Sequence, residues 1–490
     1  MRLVIPRPEL LVAQAAEQAY LAGAEGVPWE CRVTIAGNSL AIERDTRESG
    51  YLHFPWLVPE RGLVMLSSGA LMERQRPYQL PVELARGTLN RLRNQSALWQ
   101  TAGMVLPEAF QKLLHQATAA FALAATGQED PLVAARHSDE AITVGLAAAD
   151  VLSRDYSQQV VAIRRAQHAS LGTLVAGRLH APLAGEAAAH YLAAFNTAAI
   201  APQWSEVEPQ AGKYEWAALD AQVQWCRDNN LRIICGPLLQ FDRHALPDWL
   251  FMDDDYDEVQ TAALTYLDAV VQRYRGKVQL WNVTARMNQD GAFKYSEEQR
   301  LRLVVEAVDR VRNSDQRTPV IVSFDQPWGE YIARQDQELT PLNFADTLVR
   351  GELGLAGVGL EINYGYWPGG TLPRDPLEVS RLIDRWAQLG VPLVVSLAIP
   401  AAAAPDSRAQ HPGRPLADLA ARGLSPQWQQ ETADWLVPLL VAKQSVQALV
   451  WNHWQDDQPH EFAHAGLYDE AGQPRPSLPL LARIRKEIVG

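Results

Sequence analysis

From about Val27 to Leu71 apolar and polar residues alternate one by one, the period of a strand with one buried face. The runs are Cys31-Arg32-Val33-Thr34-Ile35, Leu40-Ala41-Ile42 after a Gly37-Asn38 turn, Tyr51-Leu52-His53-Phe54 and Leu63-Val64-Met65-Leu66. They predict a small antiparallel β-module over residues 1–80. From Pro81 the period lengthens to that of a helix, with Val82, Leu84, Leu89 and Leu92 on one stripe and Phe110, Leu113, Leu114, Ala117 and Phe121 on another. A third run, from Leu132 to about Ala166, carries Ile142, Leu146, Val151, Val160 and Ile163. It reads as one long helix or as two broken near Ser153. Residues 81–169 are thus a helical segment leading out of the module.

Beyond Leu171 short apolar runs alternate with amphipathic ones to the end of the chain. The strand candidates are Leu171 to Ala176, Phe195 to Ala201, Arg232 to Leu239, Val278 to Thr284, Val320 to Phe324, Val358 to Asn363, Leu393 to Ile399 and Val446 to Trp451. Helical runs such as Ala217 to Asn229, Val259 to Tyr274, Glu297 to Val311, Leu377 to Leu389 and Ser425 to Lys443 separate them. This succession predicts an α/β fold, a (β/α)8 TIM barrel over residues 170–490. A doubly wound sheet is the competing architecture, but no G-x-G-x-x-G follows an early strand.

Composition narrows the partners. A net charge of −13 disfavours nucleic acid, whose phosphates need clustered Lys and Arg. The three cysteines, Cys31, Cys226 and Cys235, show neither paired spacing nor a zinc pattern, so no disulfide framework, metal or cofactor is expected. The stretch Met1-Arg2-Leu3-Val4-Ile5-Pro6 lacks a signal-peptide core and no run approaches a membrane span, so a cytoplasmic protein without membrane contact is expected.

Within the barrel the sequence resembles the family 10 glycoside hydrolases, the endo-xylanase family. The carrying segments are Phe195-Asn196, Trp204-Ser205-Glu206-Val207-Glu208-Pro209, Gly212-Lys213-Tyr214-Glu215-Trp216 and Ile233-Ile234-Cys235-Gly236-Pro237. Leu246-Pro247-Asp248-Trp249, Tyr274-Arg275-Gly276-Lys277 with Trp281-Asn282-Val283, and Gly466-Leu467-Tyr468-Asp469 follow in the family's order. The resemblance implies a barrel that cleaves β-1,4-linked sugars with retention, using glutamates at the ends of the fourth and seventh strands. Against the family's W-D-V-V-N-E, however, this chain has Trp281-Asn282-Val283-Thr284-Ala285-Arg286, with Arg286 in the acid's place. Against T-E-L-D it has Ser396-Leu397-Ala398-Ile399, with Leu397 in the nucleophile's place. A guanidinium, with a pKa above about 12, delivers no proton at neutral pH, and an aliphatic side chain offers no lone pair. The double-displacement mechanism is therefore not expected here.

The remaining polar groups suggest what replaces it. Arg286 and Glu361, a new cation and a new anion at two strand ends, are expected to pair. They read either as a plug in a retired site or as a grip on an anionic ligand. Asp325, Glu361 and Asp456 at strand exits are candidates for a relocated catalytic pair, although Asp325 before Gln326-Pro327 also fits a turn cap. Sugar-contacting candidates are Trp204, Phe241, Asp242, Arg286, Asn363, Tyr364, Trp367, Trp451 and His453. The partner expected is an oligo- or polysaccharide, anionic glycans included. Trp29, Tyr51, Phe54 and Trp56 make the β-module either a carbohydrate-binding unit or one whose aromatics fill its core. The stretch Ala401 to Arg422 reads as a long loop or lid. Three functions remain open: hydrolysis with rearranged carboxylates, glycan binding without catalysis, and a structural or assembly scaffold.

Overall fold

The computed structural model describes residues 1–12, 14–168, 170–252 and 255–490. The alternating segments at the N-terminus form two four-stranded sheets. One contains Arg32–Ala36, Ser39–Glu43, Arg2–Val4 and Tyr78–Gln79 in that order, and the other contains Pro28–Trp29, Tyr20–Ala22, Gly50–Val58 and Gly62–Leu71. Three helices follow, Leu80–Thr101, Glu108–Thr126 and Pro131–Gln167. The last runs unbroken through Ser153, since a single Ser costs a helix interior little.

These sheets and helices share one core. Leu52, Phe54, Trp56 and Leu66 from the sheets pack with Leu80, Leu84, Ile142 and Leu146 from the helices. Phe54 and Trp56 are therefore core residues, and the Trp56 indole N–H donates to Asp139 at 3.3 Å. Trp29 is half-buried beside the Arg44 guanidinium, 5.5 Å from its ring. The helix–sheet approach is closest at Gly87, where a Cβ would sit 1.8 Å from the Ser67 carbonyl oxygen. Gly87→Ala should destabilise the protein by about 1–3 kcal/mol through overpacking. A shift of the urea midpoint checks this, and an unchanged midpoint would contradict it.

The C-terminal portion is a closed parallel barrel. Its strands are β1 (Leu174–Arg178), β2 (Thr197–Ile200), β3 (Arg232–Cys235), β4 (Leu280–Ala285), β5 (Val320–Asp325), β6 (Gly357–Asn363), β7 (Leu393–Ala398) and β8 (Val446–Trp451). Each pairs with its sequence neighbours, β8 pairs with β1 and β3 with β4, so the sheet closes. Four helices of the chain start on a side-chain cap followed by proline: Asp130-Pro131, Thr340-Pro341, Asp375-Pro376 and Ser425-Pro426. The cap oxygen takes up free N–H groups and proline pre-sets the first helical φ.

Strand parity sorts the barrel's side chains. Ala176, Ala199, Ile234, Ile321, Val394, Ala448 and Val450 face inward and fill the lower barrel. Trp281, Val283, Ile362, Leu397 and Trp451 face outward into the apolar layer beneath the helices. Above the inward apolar layer comes a polar one, in which the Ser323 hydroxyl donates to Asn282 at 3.0 Å beside Ser396 and Glu361.

The N-terminal unit docks on the loops leaving β5 and β6. Arg374, fully buried, donates to the Tyr20 hydroxyl at 2.8 Å and pairs with Glu330, while Arg91 pairs with Asp375 at 3.2 Å. Both loops rim the barrel mouth, so the module stands beside the site. Among the described residues no helix is long and apolar enough to cross a membrane, and the three cysteines are free.

Candidate functional site

The chain leaves β4 with Arg286 in the left-handed conformation, φ 65°. Such a backbone is uncommon for a side-chain-bearing residue and costs on the order of 1 kcal/mol, so it persists where contacts hold it. Those contacts are carboxylates. Arg286 Nε and Nη2 both lie on Glu361 Oε2, at 2.8 and 2.7 Å, and Nη1 lies 3.2 Å from Asp242 and pairs with Glu461. The Arg286 side chain is 8% exposed.

The expected pair with Glu361 thus belongs to a larger cluster. The protein's own carboxylates take up Nε, Nη1 and Nη2, and so stand where a grip on an anionic glycan was expected.

One guanidinium cannot hold every nearby carboxyl ionised, and the proton affinities divide accordingly. Burial pushes Glu461 up, but the charge and hydrogen bond of Arg286 outweigh it and hold the carboxyl at about 2. Burial pushes Asp325 up to about 7, opposed by Arg286 and reinforced by Glu361. Glu361 is raised by burial, opposed by Arg286 and reinforced by Glu461. The spare proton of the cluster therefore belongs to the Asp325 and Glu361 side. Asp325 accepts from Asn363 at 2.7 Å, Gln289 at 3.1 Å and Gln326 at 3.3 Å.

A cleft of about 360 Å³ opens over this cluster, lined by Phe241, Asp242, Arg286, Asp325, Trp367 and His411 among others. A second, of about 260 Å³, is lined by Arg178, His180, Gln203, Trp204, His453 and Glu461 among others. The candidates therefore separate. Asp325, Phe241, Asp242, Arg286 and Trp367 meet at the first cleft. Trp204 and His453 line the second, Trp204 donating to Glu208 at 2.8 Å and stacked on Tyr266. Asn363, two residues nearer the mouth than Asp325 by register, holds its carboxyl.

Three candidates lie elsewhere. Tyr364 faces the helices, and its hydroxyl donates to the Arg374 carbonyl at 3.1 Å. Trp451 faces outward and donates to the Ala465 carbonyl at 3.1 Å. Asp456 borders neither cleft: Arg475 pairs with it at 2.6 Å and the Gly466 N–H donates to it at 2.9 Å.

Register also alters the reading of β7. Leu397 pairs with the outward Ile362, and Ser396 pairs with Glu361. The inward residue at the level of the site is thus Ser396, and the inward positions Val394, Ser396 and Ala398 carry no carboxylate. The stretch from Ala401 to Arg422 is anchored at several points. Arg414–Pro415 pairs with Tyr366–Trp367, and the N–H groups of Gln410 and His411 donate to the carbonyls of His460 and Glu461, each at 2.9 Å.

Glu461 and Arg178 are charged residues of the site that the sequence reading does not contain. Glu461 lies deep in the loop after β8, ten residues past the strand, where the candidate was Asp456. Arg178 ends β1 and donates to Asn452 Oδ1 at 3.2 and 2.7 Å. Its signal is a lone cation just past an apolar run, whereas Arg286 was singled out by the place it takes in the family's pattern.

His453, Asp456 and His460 bring potential metal-ligand atoms within 4.8 Å of one another. The donor set fits a cation poorly. Arg475 already neutralises Asp456, and both ring nitrogens of His460 face acceptors, Gln458 O and Asp406 Oδ2, at 2.8 Å.

Residues 165–304 match the model of Glycosyl hydrolase family 10, a stretch that contains β1 to β4 and Arg286. Endo-1,4-beta-xylanase C of Paenibacillus barcinonensis is 28% identical over 92 residues, 17% of this chain and 8% of that protein. Endo-1,4-beta-xylanase 3 of Hypocrea jecorina is 28% identical over 95 residues, 19% of this chain and 27% of that protein. The matched stretch thus spans under a third of each of these relatives.

Among solved structures, native xylanase 10B from Thermotoga maritima aligns with a TM-score of 0.48 at 15% identity, covering 66% of this chain and 98% of that one. Xylanase XynB from Paenibacillus barcinonensis, complexed with a conduramine derivative, aligns with a TM-score of 0.49 at 17% identity over 66% and 97%. The C-terminal portion of this chain is a (β/α)8 barrel whose residues 165–304 are similar to glycosyl hydrolase family 10.

Proposed function

We propose that the barrel binds a neutral glycan in the cleft over Arg286 and does not cleave it by double displacement. The observation carrying this reading is the ion cluster itself. At the exit of β4, where the resemblance calls for an acid, stands a cation fully engaged by Glu361, Glu461 and Asp242. A covalent glycosyl intermediate needs a carboxylate opposite the acid, and β7 presents Ser396 inward. The cleft retains what sugar binding uses, aromatic faces at Phe241, Trp367 and Tyr331 with amide and carboxyl groups between them. Its three carboxyls, Asp242, Asp290 and Asp325, are matched by three guanidinium groups, Arg286, Arg300 and Arg334, and Arg286 and Arg300 already pair with the protein's own carboxylates, which favours a neutral ligand over an acidic one.

Hydrolysis by relocated carboxyls is the second reading, favoured by Asp325. A carboxyl held at about 7 beside a cleft retains the proton that a leaving oxygen needs.

Titrating the protein with β-1,4-xylooligosaccharides while assaying for released sugar tests both. Saturable binding without product supports the first reading, product lost in Asp325→Asn supports the second, and absence of binding overturns both. Trp367, partly exposed in the cleft wall, supplies the stacking face. Trp367→Ala should weaken binding roughly tenfold while leaving the thermal midpoint unchanged. Undiminished affinity would remove Trp367 from the site.

A further inference from the structure

We infer that the Arg286–Glu461 ion pair is a strut across the barrel mouth, and that the barrel therefore receives the end of a glycan chain rather than straddling an internal stretch. This rests on the glycan-binding reading above and specifies its substrate class.

The geometry follows from the closed strand order. In an eight-stranded ring β4 and β8 stand opposite each other. Arg286 leaves β4 and Glu461 belongs to the loop after β8, so their pair spans a diameter. Side contacts stiffen it: Glu361 and Asp242 hold the arginine, and Asn452 and Gln240 donate to Glu461 at 3.4 and 3.5 Å.

The two clefts fall on opposite sides of this line. Apart from Phe241 and Asp242, the first is lined by residues that follow β4 to β7, and the second by residues at the exits of β1 to β3 and β8 with Gln410. The division continues outward from the strut. The loop after β7 runs along the loop after β8 through paired backbone hydrogen bonds, with Gln410 turned to the second cleft and His411 to the first.

A polysaccharide crossing the mouth would have to displace a buried ion cluster and pull apart a pair of hydrogen-bonded loops. Removing one partner from a buried pair is strongly unfavourable, and a sugar hydroxyl does not replace a charge. A chain end entering the first cleft meets no such obstacle. Phe241 and Trp367 flank it, and Arg286 closes its floor.

Isothermal titration of the wild-type protein with linear xylooligosaccharides, from disaccharide to hexasaccharide, tests this. Affinity should stop rising early, changing by less than about twofold between trisaccharide and hexasaccharide. Long-chain insoluble xylan should deplete less protein per unit mass than the same xylan after partial acid hydrolysis, which multiplies chain ends. A rise of about tenfold or more from trisaccharide to hexasaccharide, or depletion unaffected by hydrolysis, would overturn the strut as a partition while leaving glycan binding intact. Failure of every oligosaccharide to bind would overturn the glycan reading and this inference with it.

Discussion

Replacing Arg286 by alanine should lower the stability of the barrel at pH 7 by about 3–5 kcal/mol, the cost of leaving buried carboxylates without their cation. Glu361, Glu461 and Asp242 all contact this one guanidinium, and the two glutamates are largely buried beneath it. Glu461 gives the loss its pH signature. In the wild type its carboxyl is held at about 2, below the unfolded value near 4.3. Its contribution is therefore present above pH about 4 and fades as pH falls toward 2. In Arg286→Ala that contribution is gone. The variant should instead recover some of its deficit on acidification to pH 5, as the orphaned carboxyls take up protons.

Combining Arg286→Met with Glu361→Gln and Glu461→Gln should restore most of the stability, because neutral groups of similar size need no counter-ion. Urea unfolding at pH 7 and pH 5 measures all of this. A single-variant loss below about 1 kcal/mol would mean that the cluster behaves as a hydrated surface pair.

What could be read from the chain alone follows from how far each signal reaches. Strand and helix periods are local, and the eight apolar runs sit within a few residues of the eight barrel strands. Arg286 was visible because the resemblance calls for an acid at its place, and Glu361 because it falls within the expected strand Val358 to Asn363. Arg178 lies two residues past the expected strand Leu171 to Ala176, as Arg286 lies two past Thr284, but no motif of the resemblance pointed to it.

Parity was harder. Leu397 occupies the nucleophile's place by alignment, yet pairing with Ile362 turns it outward and leaves Ser396 inside. A run apolar on both faces, such as Leu393-Val394-Val395, gives no alternation from which to read this. Glu461 and His411 meet Arg286 and Phe462 only because two long loops lie side by side over the mouth, and loop paths leave no periodic trace. The same holds for the dispersal of Tyr364, Trp451 and Asp456. Each stands at a strand exit, and each is turned to the apolar layer or bound to Arg475 by contacts that sequence spacing does not encode.

Asp325 should cost the wild-type protein stability as pH rises from 4 to 8, so the stability of Asp325→Asn relative to wild type should rise over that range. The folded-state value of Asp325, about 7, lies above its unfolded value near 3.9. A group raised in this way contributes stability that is fully present below pH about 4 and is lost as pH rises through 7, by an amount on the order of a few kcal/mol. Its cause is burial, which Glu361 reinforces and Arg286 only partly offsets.

Asparagine keeps the volume and the acceptor for Asn363 and carries no charge at any pH. The amides of Gln289 and Gln326 can rotate to present oxygen to the new N–H groups. Asp325→Asn should therefore gain on the wild type between pH 4 and 8 and match or exceed its stability at pH 8 by chemical denaturation. Its glycan affinity should persist at acidic pH, where the wild-type residue is also neutral. A stability difference from wild type that stays constant between pH 4 and 8 would assign the titration to Glu361, the other carboxyl that burial raises in this cluster. The floor of the cleft would then owe its proton to β6 rather than β5.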